Sequence, residues 1–399
     1  MTSFGHNAKK LFYLSPDLVQ FNHGSFGVVP KAVKEAQDSF FKQAEGYPDK
    51  WFKVDLFTHL KRSREAIANL IHATDVDDLV LVENASAAIN SILRGLCVTN
   101  LVAGDCILIL STAYNMVKEV LDWMVSIQQI QIVTVQVDFP IENEDTILKS
   151  VEKVLKTRKN IKACVFSHIT SIPAIVLPIE SLIKICKTSK ENPNSLVIID
   201  GAHAPGLLEI DVENLGADYY TGNLHKWCFA PKGCAFLWAK AEHQDMKALS
   251  PPVIGSSGLR SFPGRFAYTG TKDYTAFASI PAAFSFCEEM GGFPTIRKYN
   301  HDIVINGAKL CARRWGTSLI APIEMLSVMA DVILPSENEY EIRKMENELD
   351  ETHNICIKVE PLQNFNGTNV FICRLSGQIY LEISDFERLA DLVFNMLKK

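Results

Sequence analysis

No stretch of this sequence stays apolar for the ~18–20 residues that crossing a bilayer requires. The most apolar region, residues 101–137, is broken by Asp105, Asn115, Lys118, Glu119 and Asp122, so no membrane partner is expected. An excess of basic charge is missing too. Forty Lys and Arg against 46 Asp and Glu leave a net charge of −6, which offers no positive field to a nucleic acid. There is no Cys-x-x-Cys pair, although the chain has 10 cysteines. They are scattered, and Cys106, Cys164 and Cys373 lie in strand-like apolar runs where a thiol packs as a small hydrophobe. The expectation is reduced thiols, no metal site and a cytoplasmic setting. Residues 1–14 lack the apolar core and small-residue cleavage site of a secretory signal. Internal repeats and low-complexity tails are absent.

What is present is a regular alternation. Apolar runs at 79–82, 106–110, 130–137, 163–169, 196–200, 218–222 and 234–239 are separated by helical patterns. Near-continuous apolar strands between helices predict an α/β fold with a mostly parallel sheet covered on both faces. A Pro/Gly/Ser-rich stretch, 250–270, reads as a long irregular loop. From about Ile280 long helical patterns precede strands at 325–334 and 370–375, and an amphipathic helix at 386–397 closes the chain. This predicts a large domain over 1–279, with 1–20 as an arm that packs on the second domain, and a smaller α+β domain over 280–399.

In an open parallel sheet, ligands bind beyond the carboxyl ends of the strands, so polar residues there are the candidates. LVLVENASAAIN sets Asn84, Ala85 and Ser86 between a strand and a helix, where free amides and a hydroxyl suit a phosphate; an ordinary helix cap fits equally. LVIIDGAHAPG ends a buried strand in Asp200, with His203 three residues on. That carboxylate could keep a pyridine nitrogen protonated and make a cofactor ring an electron sink, or simply cap a turn. Lys226, in TGNLHKW, stands 26 positions beyond Asp200 between His225 and Trp227. A lysine in apolar surroundings or beside a cation has the depressed basicity that a Schiff-base residue needs. Ser171 follows another strand. Tyr114 could stack on an aromatic ring or belong to the core. The Gly-flanked loop FNHGSFG carries Asn22 and His23 and can approach a ligand closely. Arg374 lies in a strand-like run, where its guanidinium would need either a substrate carboxylate or an internal acid.

These pieces, in this order, resemble class V aminotransferase-type enzymes of pyridoxal 5′-phosphate (PLP) fold type I, the aspartate-aminotransferase-like fold. FNHGSFGVVP, NASAAIN, GAHAPG, TGNLHKW, FAYTGTKDYTAFASIPAAFSF and EMLSVMADVILP are similar to the branch of isopenicillin N epimerase, cysteine desulfhydrase and hercynylcysteine sulfoxide lyase. The resemblance implies that Lys226 holds PLP as a Schiff base and moves protons on the substrate. It implies that Asp200 pairs with the pyridinium nitrogen and that Tyr114 stacks on the ring. Ser171 and His203 would lie near the ring's phenolate oxygen or stacking face, and Ala85, Ser86 and His225 would bind the phosphate. Gly270 and Thr271 would reach the phosphate of a neighbouring subunit in a homodimer. Arg374 would take the carboxylate of an amino-acid substrate, with Asn22 and His23 lining the pocket.

Two departures narrow the reaction. Desulfurases of this class carry a mobile-loop cysteine that accepts sulfur as a persulfide, and residues 316–353 contain no cysteine. Those enzymes also stack a histidine where this chain has Tyr114. One base at Lys226 suffices for β-elimination, so a C–S lyase acting on cysteine or a cysteine S-conjugate is expected. An epimerase, which needs a second acid on the opposite face, an aminotransferase, and a non-catalytic PLP-fold binding protein are the alternatives.

Overall fold

The computed structural model describes residues 3–255, 261–365 and 368–397. Seven strands form the central sheet: β2 (Leu79–Val82), β3 (Cys106–Leu110), β4 (Gln131–Val135), β5 (Ile161–Ser167), β6 (Leu196–Asp200), β7 (Tyr219–Asn223) and β8 (Ala235–Ala239). Their spatial order is β2-β8-β7-β6-β5-β3-β4. Within it, β8 runs antiparallel to both neighbours and the other contacts are parallel. Alternate residues of each strand enter different layers, because side chains leave a strand to opposite faces. Val80, Ile107, Val165 and Ile198 pack beneath the helices Ala85–Thr99 and Asn115–Gln128. Leu81, Leu108, Phe166 and Ile199 pack into the opposite layer. Helix Asp145–Thr157 covers that second face with Ile147, Val151 and Leu155, a four-residue spacing that keeps one stripe buried.

A second sheet is antiparallel, in the order β11-β12-β9: β9 (Met329–Ile333), β11 (Lys358–Phe365) and β12 (Thr368–Ser376). Strand β11 gave no signal in the sequence because Pro361 interrupts its pattern. It is an edge strand, where a residue without an N–H is tolerated. The first residues of the chain bond to this C-terminal part. Strands β1 (Val19–Gln20) and β10 (Ile355–Cys356) pair in parallel. The Gly5 amide donates to the Ile379 carbonyl, and the Ser376 amide to that of Phe21. Helix Gly292–Trp315 packs on the terminal helix Ile383–Leu397, and the contact requires a glycine. A Cβ on Gly307 would lie 2.1 Å from the Phe386 ring.

The stretch expected to be an irregular loop contains a short helix, Phe262–Ala267, whose start is capped by the Ser261 hydroxyl accepting from the Gly264 amide at 3.2 Å. The Ser–x–x spacing of a cap was readable there but masked by the surrounding Pro and Gly; residues 256–260 lie outside the described part. All ten cysteines are free. Among the described residues no helix is long and apolar enough to cross a membrane.

Candidate active site

The carboxyl ends of β5 and β6 finish level, with Ser167 paired to Asp200, and β7 runs two residues past Thr221, the partner of Asp200. Chemistry-bearing side chains collect just beyond that edge. A cavity of about 730 Å³ opens there, lined among others by Asn22, Ser25, Tyr114, Ser171, Lys226 and Arg374. That volume is in the ~300–1,000 Å³ range of small-molecule sites.

Lys226 sits on a single helical turn, Leu224–Trp227, directly after β7. Burial lowers its amine from 10.5 to about 7, the Arg374 charge adds to the effect, and Asp200 opposes it. The hydrogen bonds lead to the same conclusion. The Trp227 Nε1–H donates to His203 Nδ1 at 3.3 Å, and an indole N–H can only donate. Burial holds His203 well below its usual range, so the ring is neutral and its proton is on Nε2. That N–H faces Lys226 Nζ at 2.9 Å, so Nζ accepts and is a free base, the nucleophilic form.

Asp200 ends β6, buried. One oxygen accepts the Ala202 amide at 3.0 Å, leaving the other without a protein partner. Burial raises this carboxyl, while the Ala202 bond and the Lys226 charge hold it down. A buried acid with one oxygen open fits a protonated ring nitrogen, which would supply the missing donor.

The strand–helix turn at 84–86 differs in detail from expectation. Asn84, not Ser86, caps the helix, accepting from the Ala87 amide at 2.9 Å. The Ala85 amide, expected to be free for a phosphate, donates to Asn223 Oδ1 at 2.8 Å. Ser86 keeps an amide and a hydroxyl without a protein partner, at the positive end of a helix of four turns. Asn223 was not singled out from the sequence, since a polar residue ending a buried strand carries no spacing signature. His225 donates its Nδ1–H to the Cys234 carbonyl at 3.0 Å. Burial lowers it to about 4, so the ring is neutral and its free Nε2 is an acceptor, which does not suit a phosphate oxygen.

His23 is a correction. It was expected to line the pocket, yet it is only 1% exposed and does not border the cavity. Its Nε2 lies 2.8 Å from the Lys226 carbonyl and its Nδ1 3.0 Å from the Tyr380 hydroxyl. Burial lowers it to about 4. The loop turns inward because Gly27 has φ +65° and no room for a side chain; a Cβ there would stand 1.8 Å from the His225 carbonyl oxygen. The loop thus presses His23 behind the lysine, and Asn22 and Ser25 face the cavity instead.

Arg374 is 2% exposed on β12. Its Nη1 donates to the Ser171 carbonyl (2.8 Å) and hydroxyl (3.1 Å), and its Nη2 to Asn22 Oδ1 (2.7 Å) and the Ser25 hydroxyl (2.9 Å). Every one of these acceptors is neutral, so the buried cation has no bonded counter-charge. Tyr114, half exposed, stands at the head of helix Asn115–Gln128 and borders the cavity. Gly270 and Thr271 do not border it. Thr271 instead bonds the Tyr268 hydroxyl at 2.7 Å, beside the ion pair Lys272–Glu83.

A class V aminotransferase signature spans residues 27–389, and the chain belongs to that family. Its cofactor is pyridoxal 5′-phosphate, and the donor set fits it: a free-base lysine, a buried acid with an open oxygen, and an unpaired amide and hydroxyl at a helix start. Among its relatives, a putative L-cysteine desulfhydrase 1 of Oryza sativa subsp. japonica is 32% identical, covering 94% of this chain and 82% of its own length. The hercynylcysteine sulfoxide lyase of Schizosaccharomyces pombe is 29% identical over 98% of this chain and 97% of its own. The isopenicillin N epimerase of Streptomyces clavuligerus is 26% identical, over 79% and 80%. Among solved structures, a cysteine desulfurase from Thermococcus onnurineus NA1 superposes with a TM-score of 0.81 at 18% identity, covering both chains fully. A cystine C-S lyase superposes at 0.77 and 16%, over 94% and 96%. At such identities the structures share the fold.

Proposed function

We propose that this protein is a PLP-dependent lyase that cleaves the Cβ–S bond of cysteine or a cysteine S-conjugate. The observation that carries the reading is the buried Lys226, its amine lowered to about 7, in a cavity that also holds Arg374 and that no cysteine borders, all ten cysteines being among the described residues. A base and a carboxylate clamp are in place; a persulfide acceptor is not. The relatives named desulfhydrase and sulfoxide lyase support the same direction.

When bound, PLP withdraws electrons from the substrate Cα and makes a bond there easier to break. Asp200 would hold the ring nitrogen protonated, and the Ser86 amide and hydroxyl would take the phosphate. Arg374 grips the α-carboxylate as a charge-assisted pair, exchanging neutral acceptors for an anion. Lys226 would hold the cofactor through Nζ, and as a free amine it would remove the Cα proton. The electron pair of that C–H bond would form the Cα–Cβ double bond as the Cβ–S pair leaves with sulfur, which takes the proton from the Lys226 ammonium and is released as hydrogen sulfide or a thiol. Hydrolysis of the remaining carbon fragment yields pyruvate and ammonia.

Epimerisation is the second reading, favoured by Tyr114, which borders the same cavity and carries a hydroxyl. His23 and Cys228, which also carry transferable protons near Lys226 in sequence or space, are buried and do not border it. Supplying L-cysteine and S-substituted cysteines, and assaying pyruvate, sulfide and inversion at Cα, separates the two: pyruvate formation is expected, and inversion without pyruvate overturns the lyase reading. A colourless protein that PLP cannot reconstitute would overturn both in favour of a binding protein. Two further proposals accompany the reading. The enzyme is a homodimer in which Gly270 and Thr271 complete the partner's phosphate site, supported by their position away from their own cavity; sedimentation tests it. Its ten free thiols suit the reducing cytoplasm.

A further inference from the structure

Asp331 has no duty in the scheme above, yet it is wholly buried, 0% exposed, at the centre of β9. A carboxylate is costly to bury unless it is bonded. One oxygen, Oδ2, accepts the Ala174 amide at 2.5 Å, while Oδ1 has no hydrogen-bond partner. Burial pushes the group up to about 6, against the pull of the Ala174 bond and of Arg374. In the β9–β12 ladder its register partner is Arg374, so the two side chains leave the same face of the sheet side by side. Arg374 Nε likewise has no hydrogen-bond partner.

Both residues reach the same turn, Thr170–Ile175. Within it the Thr170 hydroxyl accepts from the Ile175 amide at 2.9 Å and donates to the Pro173 carbonyl at 2.5 Å. Arg374 holds Ser171 at one side of the turn and Asp331 holds Ala174 at the other. Ser171, Ile172 and Pro173, between these two anchors, border the cavity. The base of the turn is closed by the Thr170 amide donating to the Ile175 carbonyl at 2.9 Å and by the Val176 amide donating to the Met325 carbonyl at 2.8 Å; Asp331 adds an anchor at Ala174, beside the residues that border the cavity, and so limits how far Ser171 can shift relative to the guanidinium.

We infer that Asp331 is a positioning residue for the carboxylate subsite: by gripping the Thr170–Ile175 turn beside Arg374, it sets where Ser171 and the guanidinium meet a substrate carboxylate. This rests on the reading that Arg374 receives the α-carboxylate. A misplaced clamp weakens binding of any amino acid and spares an amine that has no carboxylate.

The test uses holoenzyme and two probes, L-cysteine and its decarboxylated analogue cysteamine, with apparent affinity read from cofactor absorbance and kcat measured for L-cysteine. Asp331→Ala should weaken L-cysteine about tenfold, the effect of about one net hydrogen bond, with kcat and cysteamine affinity within about twofold. Asp331→Asn keeps an acceptor for the Ala174 amide and should restore L-cysteine binding to within about threefold. Arg374→Gln should weaken L-cysteine and spare cysteamine. If Arg374→Gln behaves so but Asp331→Ala binds L-cysteine as the wild type does, or loses both probes equally, the role of Asp331 is overturned. Unchanged L-cysteine binding in Arg374→Gln overturns the carboxylate reading itself. If Asp331→Ala does not fold, Asp331→Ser leaves a smaller gap and still removes the carboxylate's reach, with the same expected and overturning results.

Discussion

Replacing Lys226 by Met should stabilise the cofactor-free protein, and by an amount that shrinks as pH rises. The amine falls from 10.5 to about 7 on folding, chiefly through burial, and at 1.36 kcal/mol per pKa unit this disfavours its charged form by about 4–5 kcal/mol. Between about pH 7 and 10.5 the unfolded chain binds a proton that the folded chain does not. This group's contribution therefore becomes less unfavourable with rising pH across that window. At pH 7.5 the penalty is about 4 kcal/mol, and at pH 10 it is below about 1 kcal/mol. Methionine has a similar shape and no charge, so it removes the penalty; the His203 Nε2–H left without an acceptor takes back about 1 kcal/mol at every pH. With an unfolding entropy near ~2.1 cal/mol/K per residue, 399 residues give ~0.8 kcal/mol/K, so 3 kcal/mol is about 4 °C. The expected result is a Tm about 4 °C above the wild-type apoprotein at pH 7.5, falling to no gain at pH 10, read by scanning calorimetry. A difference that does not change with pH would refute the desolvated, free-base lysine.

Gly27→Ala places a Cβ against the His225 carbonyl at a φ of +65°; the shift needed next to Lys226 should lower cofactor retention at least tenfold and reduce Tm, both measurable by absorbance and calorimetry. Asn223→Ala leaves the Ala85 amide without its acceptor and should cost about 1–3 kcal/mol in denaturant unfolding, with PLP affinity reduced because the phosphate turn loosens. Trp227→Phe removes the donor that fixes the His203 tautomer. The acid limb of the kcat/KM profile should then shift by a few tenths of a pH unit or more, while an unchanged profile would mean that the indole N–H does not set the proton on Nε2.

The seven apolar runs were legible because a parallel sheet buried on both faces leaves no room for polar alternation, and all seven became strands of one sheet. Lys226, Asp200 and Arg374 were legible too, as charged or basic residues at strand ends or within apolar runs. Other details were not. Ala85 and His23 were assigned to ligand contacts from their place in motifs, and both spend their hydrogen bonds on the protein, on Asn223 in one case and on Lys226 and Tyr380 in the other. Asp331 carried no signal at all, as an acid within an apolar strand looks the same whether it faces a cavity, an arginine or a turn.

The sequence alone determined the sheet, the family and the lysine proposed to bear the cofactor, since periodicity and local motif are properties of neighbours along the chain. Tertiary structure decided the charge on Lys226. Its amine is neutral because Arg374, 148 positions away in sequence, and the surrounding core exclude water and add like charge, while Trp227 orders the proton on His203. It also decided which polar atoms remain open to a ligand, a matter of what the rest of the fold has already bonded.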